Sequence, residues 1–211
     1  MTHVYRTTAA SAALLAAALG LAGCGDSKTG SGSMPGMSHG SSMPMTPTTA
    51  PSNSAGAFND ADVMFASQMI PHHQQAVEMA DSALQKATTA EVKKLATAIK
   101  AAQDPEIKLM SGWLTAWGKP VPTPGEHAGH TMTGMMSPQE MADLSKASGS
   151  MYDRMWVTMM IKHHQGAVTM AKTEQSTGKS TAAVALAKKI QTAQTTEIAT
   201  MQRLLGRLPA A

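Results

Sequence analysis

Between residues 60 and 206 apolar side chains recur every three or four positions, the spacing of helices that bury one face. The first stripe runs Ala66, Ile70, His73, Val77, Ala80, Leu84, and either Asn59 or Asp60 can cap the helix that carries it. Thr88 or Thr89 opens a second helix, with the stripe Val92, Leu95, Ile99, Ala102, Glu106, Leu109, Trp113, Trp117, and Gly118-Lys119-Pro120 stops it. Ser137-Pro138-Gln139-Glu140 has the form of a cap with proline at the first helical position, and starts a third helix that runs to about Ser176. Gly178 ends it, and a fourth helix spans about Thr181 to Leu205. Pro71 and Pro105 lie inside the first two helices and are expected to kink them.

The pattern is also duplicated. An offset of 91 residues holds without a gap from Asp62/Asp153 to Leu114/Leu205. It matches Met64/Met155, Met69/Met160, Ile70/Ile161, His72/His163, His73/His164, Gln74/Gln165, Met79/Met170, Gln103/Gln194, Glu106/Glu197 and Met110/Met201. Internal duplication of a helical hairpin explains this most economically. Neither hairpin can bury its apolar face alone, so the expected fold is all-α: a four-helix bundle over residues 58–206, with repeat one at 58–118, a loop at 119–136 and repeat two at 137–206.

Composition supports helices and suggests a compartment. Aromatics are 3% of the chain, so Leu, Ile, Val, Met and Ala must supply the core. The formal charge is +3 with no Lys/Arg run, which gives no footprint for nucleic acid. The only cysteine excludes a disulfide framework. It ends Leu21-Ala22-Gly23-Cys24, after Arg6 and an apolar run too short and alanine-rich for a good membrane span. This resembles a lipobox, so residues 1–23 are expected to be a lipoprotein signal peptide, with Cys24 lipidated. The protein would then be exported and anchored through its N-terminal lipid to the outer face of the cell membrane, or to the periplasmic side in a two-membrane cell. Residues 24–57 are rich in Gly, Ser, Thr and Pro and suit a disordered tether.

Nineteen methionines and eight histidines bring in metal chemistry. Met34, Met37, His39, Met43 and Met45 cluster in the tether, and His127, His130, Met132, Met135 and Met136 in the loop between the repeats. In the helices, Met69, His72 and Met79 can share a face, as can Met160, His163 and Met170, with His73 and His164 beside them. Glu106 and Glu197 occupy stripe positions where Leu is expected, with Gln103 and Gln194 one turn earlier. A buried carboxylate needs a partner or a metal. Imidazole suits copper, zinc or iron, and thioethers shift the preference to copper, above all Cu(I). The same residues also suit a His–Glu hydrogen-bond network that fixes the bundle register without a ligand.

Met69-Ile70-Pro71-His72-His73-Gln74-Gln75-Ala76, Gln103-Asp104-Pro105-Glu106-Ile107, Gly134-Met135-Met136-Ser137 and Met159-Met160-Ile161-Lys162-His163-His164-Gln165-Gly166-Ala167 resemble the bacterial family called domain of unknown function 305, over about residues 58 to 206. The resemblance implies a ferritin-like four-helix bundle in an exported protein, and some relatives are linked to extracytoplasmic copper binding and resistance. Ferritin-like di-iron sites use Glu-x-x-His, whereas this chain has Gln-x-x-Glu and His-His, so di-iron chemistry does not carry over. The expected function is copper sequestration or transfer to a partner protein outside the cytoplasm. A di-metal oxidoreductase and a structural surface lipoprotein are the alternatives.

Overall fold

The computed structural model describes residues 57–123 and 132–210. The tether residues Met34, Met37, His39, Met43 and Met45, the loop histidines His127 and His130, and Cys24 with the signal segment lie outside the described residues. The described residues form five helices and no strand: α1 (Asp60–Lys86), α2 (Ala90–Ala116), α3 (Pro138–Lys146), α4 (Gly149–Thr177) and α5 (Thr181–Leu205). The backbones approach most closely within the hairpins α1/α2 and α4/α5, and α1 then packs against α4.

The expected third helix is two helices. Ser137 and Glu140 form a reciprocal capping box at the start of α3, but the chain turns at Ala147–Ser148 before α4 begins. Gly149 makes that corner at φ 59°, a conformation costly for any residue with a Cβ. α1 starts at an Asn59–Asp62 capping box. α1 and α2 continue through Pro71 and Pro105 without ending there.

The buried stripes differ from the expected ones by a small rotation. On α2 the core face is Val92, Ala96, Ile99, Gln103, Glu106, Met110, Leu114, whereas Ala102 and Leu109 are exposed. On α1, Leu84 is exposed and Ala83 is buried in its place. Alanine is apolar at nearly every register of these helices, so the sequence pattern fixes the core face only to about one position.

A reciprocal pair of carboxylates joins the hairpins. Thr89 leads into α2 without a side-chain cap of its own. Asp153 of α4 accepts from the backbone amides of Thr88 and Thr89, at 3.1 and 2.8 Å, and from both threonine hydroxyls. At the equivalent place in the other half, Asp62 of α1 accepts from the amides of Lys179 and Ser180, just before α5. Each hairpin therefore carries the anion that the other needs at a positive helix start. Burial alone would raise both aspartates, yet hydrogen bonds hold their carboxyls below the ordinary value: to Asp153 from the two threonines, and to Asp62 from the Asn59 amide and Glu174 ahead of Ser180 and Lys179.

Two apolar clusters fill the interior. One gathers Ala76, Met79, Ala80, Tyr152, Trp156, Met159, Met160 and Met201, and the other Phe65, Met69, Ile70, Met110, Leu114, Ala167 and Ile190. Trp156 donates its indole N–H to the Met79 carbonyl at 2.8 Å, which ties α4 to α1. Residues within two turns of the histidine boxes, such as Met69 and Ile70 against Ala76 and Met79, fall in different clusters. A polar layer thus separates the two.

Candidate metal centre

Adjacent residues on a helix point about 100° apart, so a His-His pair must address two neighbours. His73 turns to α2, where its Nε2 lies 3.0 Å from Glu106 Oε2. His72 turns to α4 and meets His163, with ring centroids 3.7 Å apart and planes tilted by 39°. The second repeat mirrors this. His164 reaches Glu197 on α5 at 2.7 Å, leaving His163 to face His72. The local pseudo-two-fold passes between the His72 and His163 rings.

All four imidazoles are fully buried. His73 and His164 have a carboxylate each. His72 and His163 have none, and neither nitrogen of either ring makes a well-formed hydrogen bond. The Nδ1 atoms of His73 and His164 and the side-chain oxygens of Gln103 and Gln194 are likewise buried without a partner. Native interiors pair almost all such atoms, so this concentration marks a site. Burial, followed by the neighbouring histidines, pushes His72 down to about 3, while the Thr133 backbone alongside opposes the fall. Burial likewise drives His163 well down. In His73 burial outweighs the Glu106 carboxylate, and the ring is also lowered. These rings are neutral at pH 7, the protonation state in which imidazole ligates a metal.

The halves are not identical. Glu106 also contacts the Lys189 ammonium at 3.4 Å, whereas the residue equivalent to Lys189 in repeat one is Ala98. Glu197 keeps 23% of its side chain exposed, against 9% for Glu106. Its outer edge opens on a shallow groove with Lys188, Lys189, Thr192 and Thr196.

Met69 and Met79 do not sit together. Met69 and Met170 belong to the cluster on one side of the histidine layer, and Met79 and Met160 to the cluster on the other. Thioethers from both repeats thus flank each side of the His72–His163 pair.

The loop methionines, expected as a separate cluster, run against the box helices. The Gln75 amide donates to the Met136 carbonyl at 2.9 Å and accepts from the Met136 amide at 2.7 Å. Gly134, at φ 87°, lies against Gly166 so closely that a Cβ on Gly166 would fall 2.0 Å from the Thr133 carbonyl oxygen. Residues 132–136 therefore form a strap over α1 and α4 beside His72. Met136 is buried, and Met132 and Met135 are half-buried. Gln75 and Gly166 occupy equivalent positions in the two repeats. That mismatch beside each His-His box was the available sign that something unsymmetrical docks there.

The profile for the domain of unknown function DUF305 matches residues 62–205. The chain belongs to the DUF305 family. A DUF305 fragment from Deinococcus radiodurans is 33% identical, with 72% of this chain and 100% of that one covered and a TM-score of 0.66. A DUF305 protein from Streptomyces coelicolor, provisionally described as secreted, is 33% identical, with 70% and 93% covered and a TM-score of 0.64. CopM in its Cu(I)-bound form is 35% identical, with 69% and 96% covered and a TM-score of 0.60. CopM has also been solved with Cu(II) and with silver. No curated protein sequence matches the chain. Copper is therefore bound by a relative of the same fold that is 35% identical to this chain.

Proposed function

We propose that this DUF305 protein binds copper outside the cytoplasm, to sequester it or pass it to a partner protein, without catalysing a reaction. The observation that carries the reading is the His72–His163 pair: two buried, neutral imidazoles in contact, with four ring nitrogens that make no well-formed hydrogen bond. His72 and His163 would supply nitrogen ligands, and Met69, Met79, Met160 and Met170 lie in the flanking layers as thioether donors. Glu106 and Glu197 act through His73 and His164, whose rings they orient. Among the described residues no group of three or more His, Cys, Asp or Glu is placed to hold one ion. A site of two imidazoles completed by sulfur suits Cu(I) better than zinc or iron; the CopM structures with Cu(I), Cu(II) and silver support copper as the ion.

The reading includes export and anchoring through a lipid on Cys24, with the tether methionines gathering ions near the bundle. The lipobox-like sequence supports both export and the lipid, and the Streptomyces relative, described as secreted, supports export alone. Among the described residues no helix is long and apolar enough to cross a membrane.

The test is anaerobic Cu(I) titration of the protein from Gly25 onward, in competition with a chromogenic chelator. The tightest site should disappear in a His72→Leu, His163→Leu variant. Failure of the wild-type protein to take up copper at micromolar concentration would overturn the reading.

A further inference from the structure

One row of α4 links the protein surface to His163. Met151, Met155, Met159 and His163 are spaced i, i+4, i+8 and i+12, so each stands one turn above the last, with Cβ atoms roughly 5–6 Å apart. Exposure falls steadily along the row. Met151 is 51% exposed, Met155 is partly buried, Met159 is 8% exposed and His163 is fully buried. Ordinary core packing accounts for Met159 but not for a half-exposed thioether at the outer end. Met155 and Met159 share their helix face with Lys162 and Gly166. Lys162 pairs with Glu140 of α3 at 2.7 Å, and Gly166 touches the strap. The row therefore runs along the α3 and strap side of α4 and ends where the strap covers the histidine pair. Lys162, the ammonium on this face, is paired with the Glu140 carboxylate. In repeat one the equivalent row reads Asp60, Met64, Gln68, His72, which breaks the thioether series at two positions.

We propose that Met151, Met155 and Met159 are a soft-metal site that admits Cu(I) to the buried centre, one turn at a time, through repeat two only. This rests on the copper-binding reading given above. Successive pairs, Met151 with Met155 and Met155 with Met159, each offer two thioethers on one face of a rigid helix, and Met159 with His163 makes the final pair. The ion moves by exchanging one neutral ligand for the next. No redox step or proton transfer is involved.

Silver(I) serves as a redox-inert probe. The full chain is labelled with carbon-13 at the methionine methyls, and its signals are assigned with single Met→Leu variants, which conserve volume and fold. Silver is titrated while the methyls and the histidine ring signals are followed. The site predicts that the Met151, Met155 and Met159 methyls shift in the wild-type protein. They should still shift in His72→Leu, His163→Leu, where the core site is gone. In Met151→Leu, Met155→Leu the rate of silver arrival at the histidines should fall at least several-fold, with the final occupancy of the core unchanged. Histidine signals that respond while all three methyls stay still overturn the row and leave the core site standing. Methyls that respond while the histidines do not overturn the core site and leave the row as a surface site. An unchanged arrival rate in the double variant refutes its role as the route inward.

Discussion

Replacing His72 by Leu should stabilise the metal-free protein, whereas replacing His73 by Leu should destabilise it. Leu is close to His in volume, so the cavity at either site changes little. His72 carries two buried nitrogens without partners. An unsatisfied buried polar atom costs about 1–3 kcal/mol, so removing two relieves about 2–6 kcal/mol; imperfect repacking offsets about 1 kcal/mol of this, leaving a net gain of about 1–5 kcal/mol. For a domain of this size that is a rise of about 2–20 °C in Tm. His73 is different, because its removal leaves Glu106 buried with only the distant end of Lys189. Breaking such a pair costs about 3 kcal/mol. The pH dependence provides a second readout. The folded-state value of His72 is about 3, below its ordinary 6.5, so the unfolded chain takes up the proton first and stability falls as pH drops from 6.5 toward 3. The variant should therefore lose about 1.4 kcal/mol per pH unit of that acid slope. Chelator-treated proteins can be compared by calorimetry at pH 7.5 and by urea midpoints from pH 7 to 4. Destabilisation by His72→Leu of more than about 1 kcal/mol, a threshold set by ordinary repacking losses, would show that the imidazole pair is structural and refute the reasoning.

Three further outcomes follow from the fold. Asp153→Ala should cost about 2–3 kcal/mol in denaturant unfolding, since it strips the cap from α2 and orphans two threonines; Asp62→Ala should behave alike, and the two losses should add because the clamps sit at opposite ends of α1. Gly166→Ala should drive the strap off α4 at a cost of about 1–3 kcal/mol, and hydrogen exchange at the Met136 amide should accelerate; an unchanged rate would mean that the strap does not depend on this contact. Glu174, buried against Asp62, is pushed up to about 8 by burial and then by that neighbour. Its folded-state value exceeds the unfolded one, so stability is lost as pH rises from 4.5 through 8, and Glu174→Gln should remove this slope and gain on the order of 2 kcal/mol at pH 7, read from urea midpoints.

Much of this was legible before the structure. The repeat offset marked both His-His boxes and both Gln-x-x-Glu turns, because duplication preserves what a shared geometry requires. The fourth helix and the DUF305 membership also agreed with expectation. Three things escaped. Alanine-rich faces blurred the core register of α1 and α2, so Leu84, Ala102 and Leu109 were placed inside. The Ser148-Gly149 corner lies in a run that is otherwise helical in composition, and its turn signal was overlooked. Which histidine of each box meets a carboxylate depends on a rotation of about 100°, and periodicity alone does not resolve that. The Asp62/Asp153 match was visible as a repeated residue, but its purpose depends on contacts more than 60 positions away in sequence.

The exchanged aspartates have a consequence for ancestry. Hairpins that each start their second helix against an aspartate of the other have the form of two halves of a homodimer, so the chain has the form of two such subunits fused end to end. Fusion releases each half from having to match the other. The differences that followed, Gly166 for Gln75, Lys189 for Ala98 and Glu174 for Ala83, are changes that a symmetric dimer would have been forced to make twice.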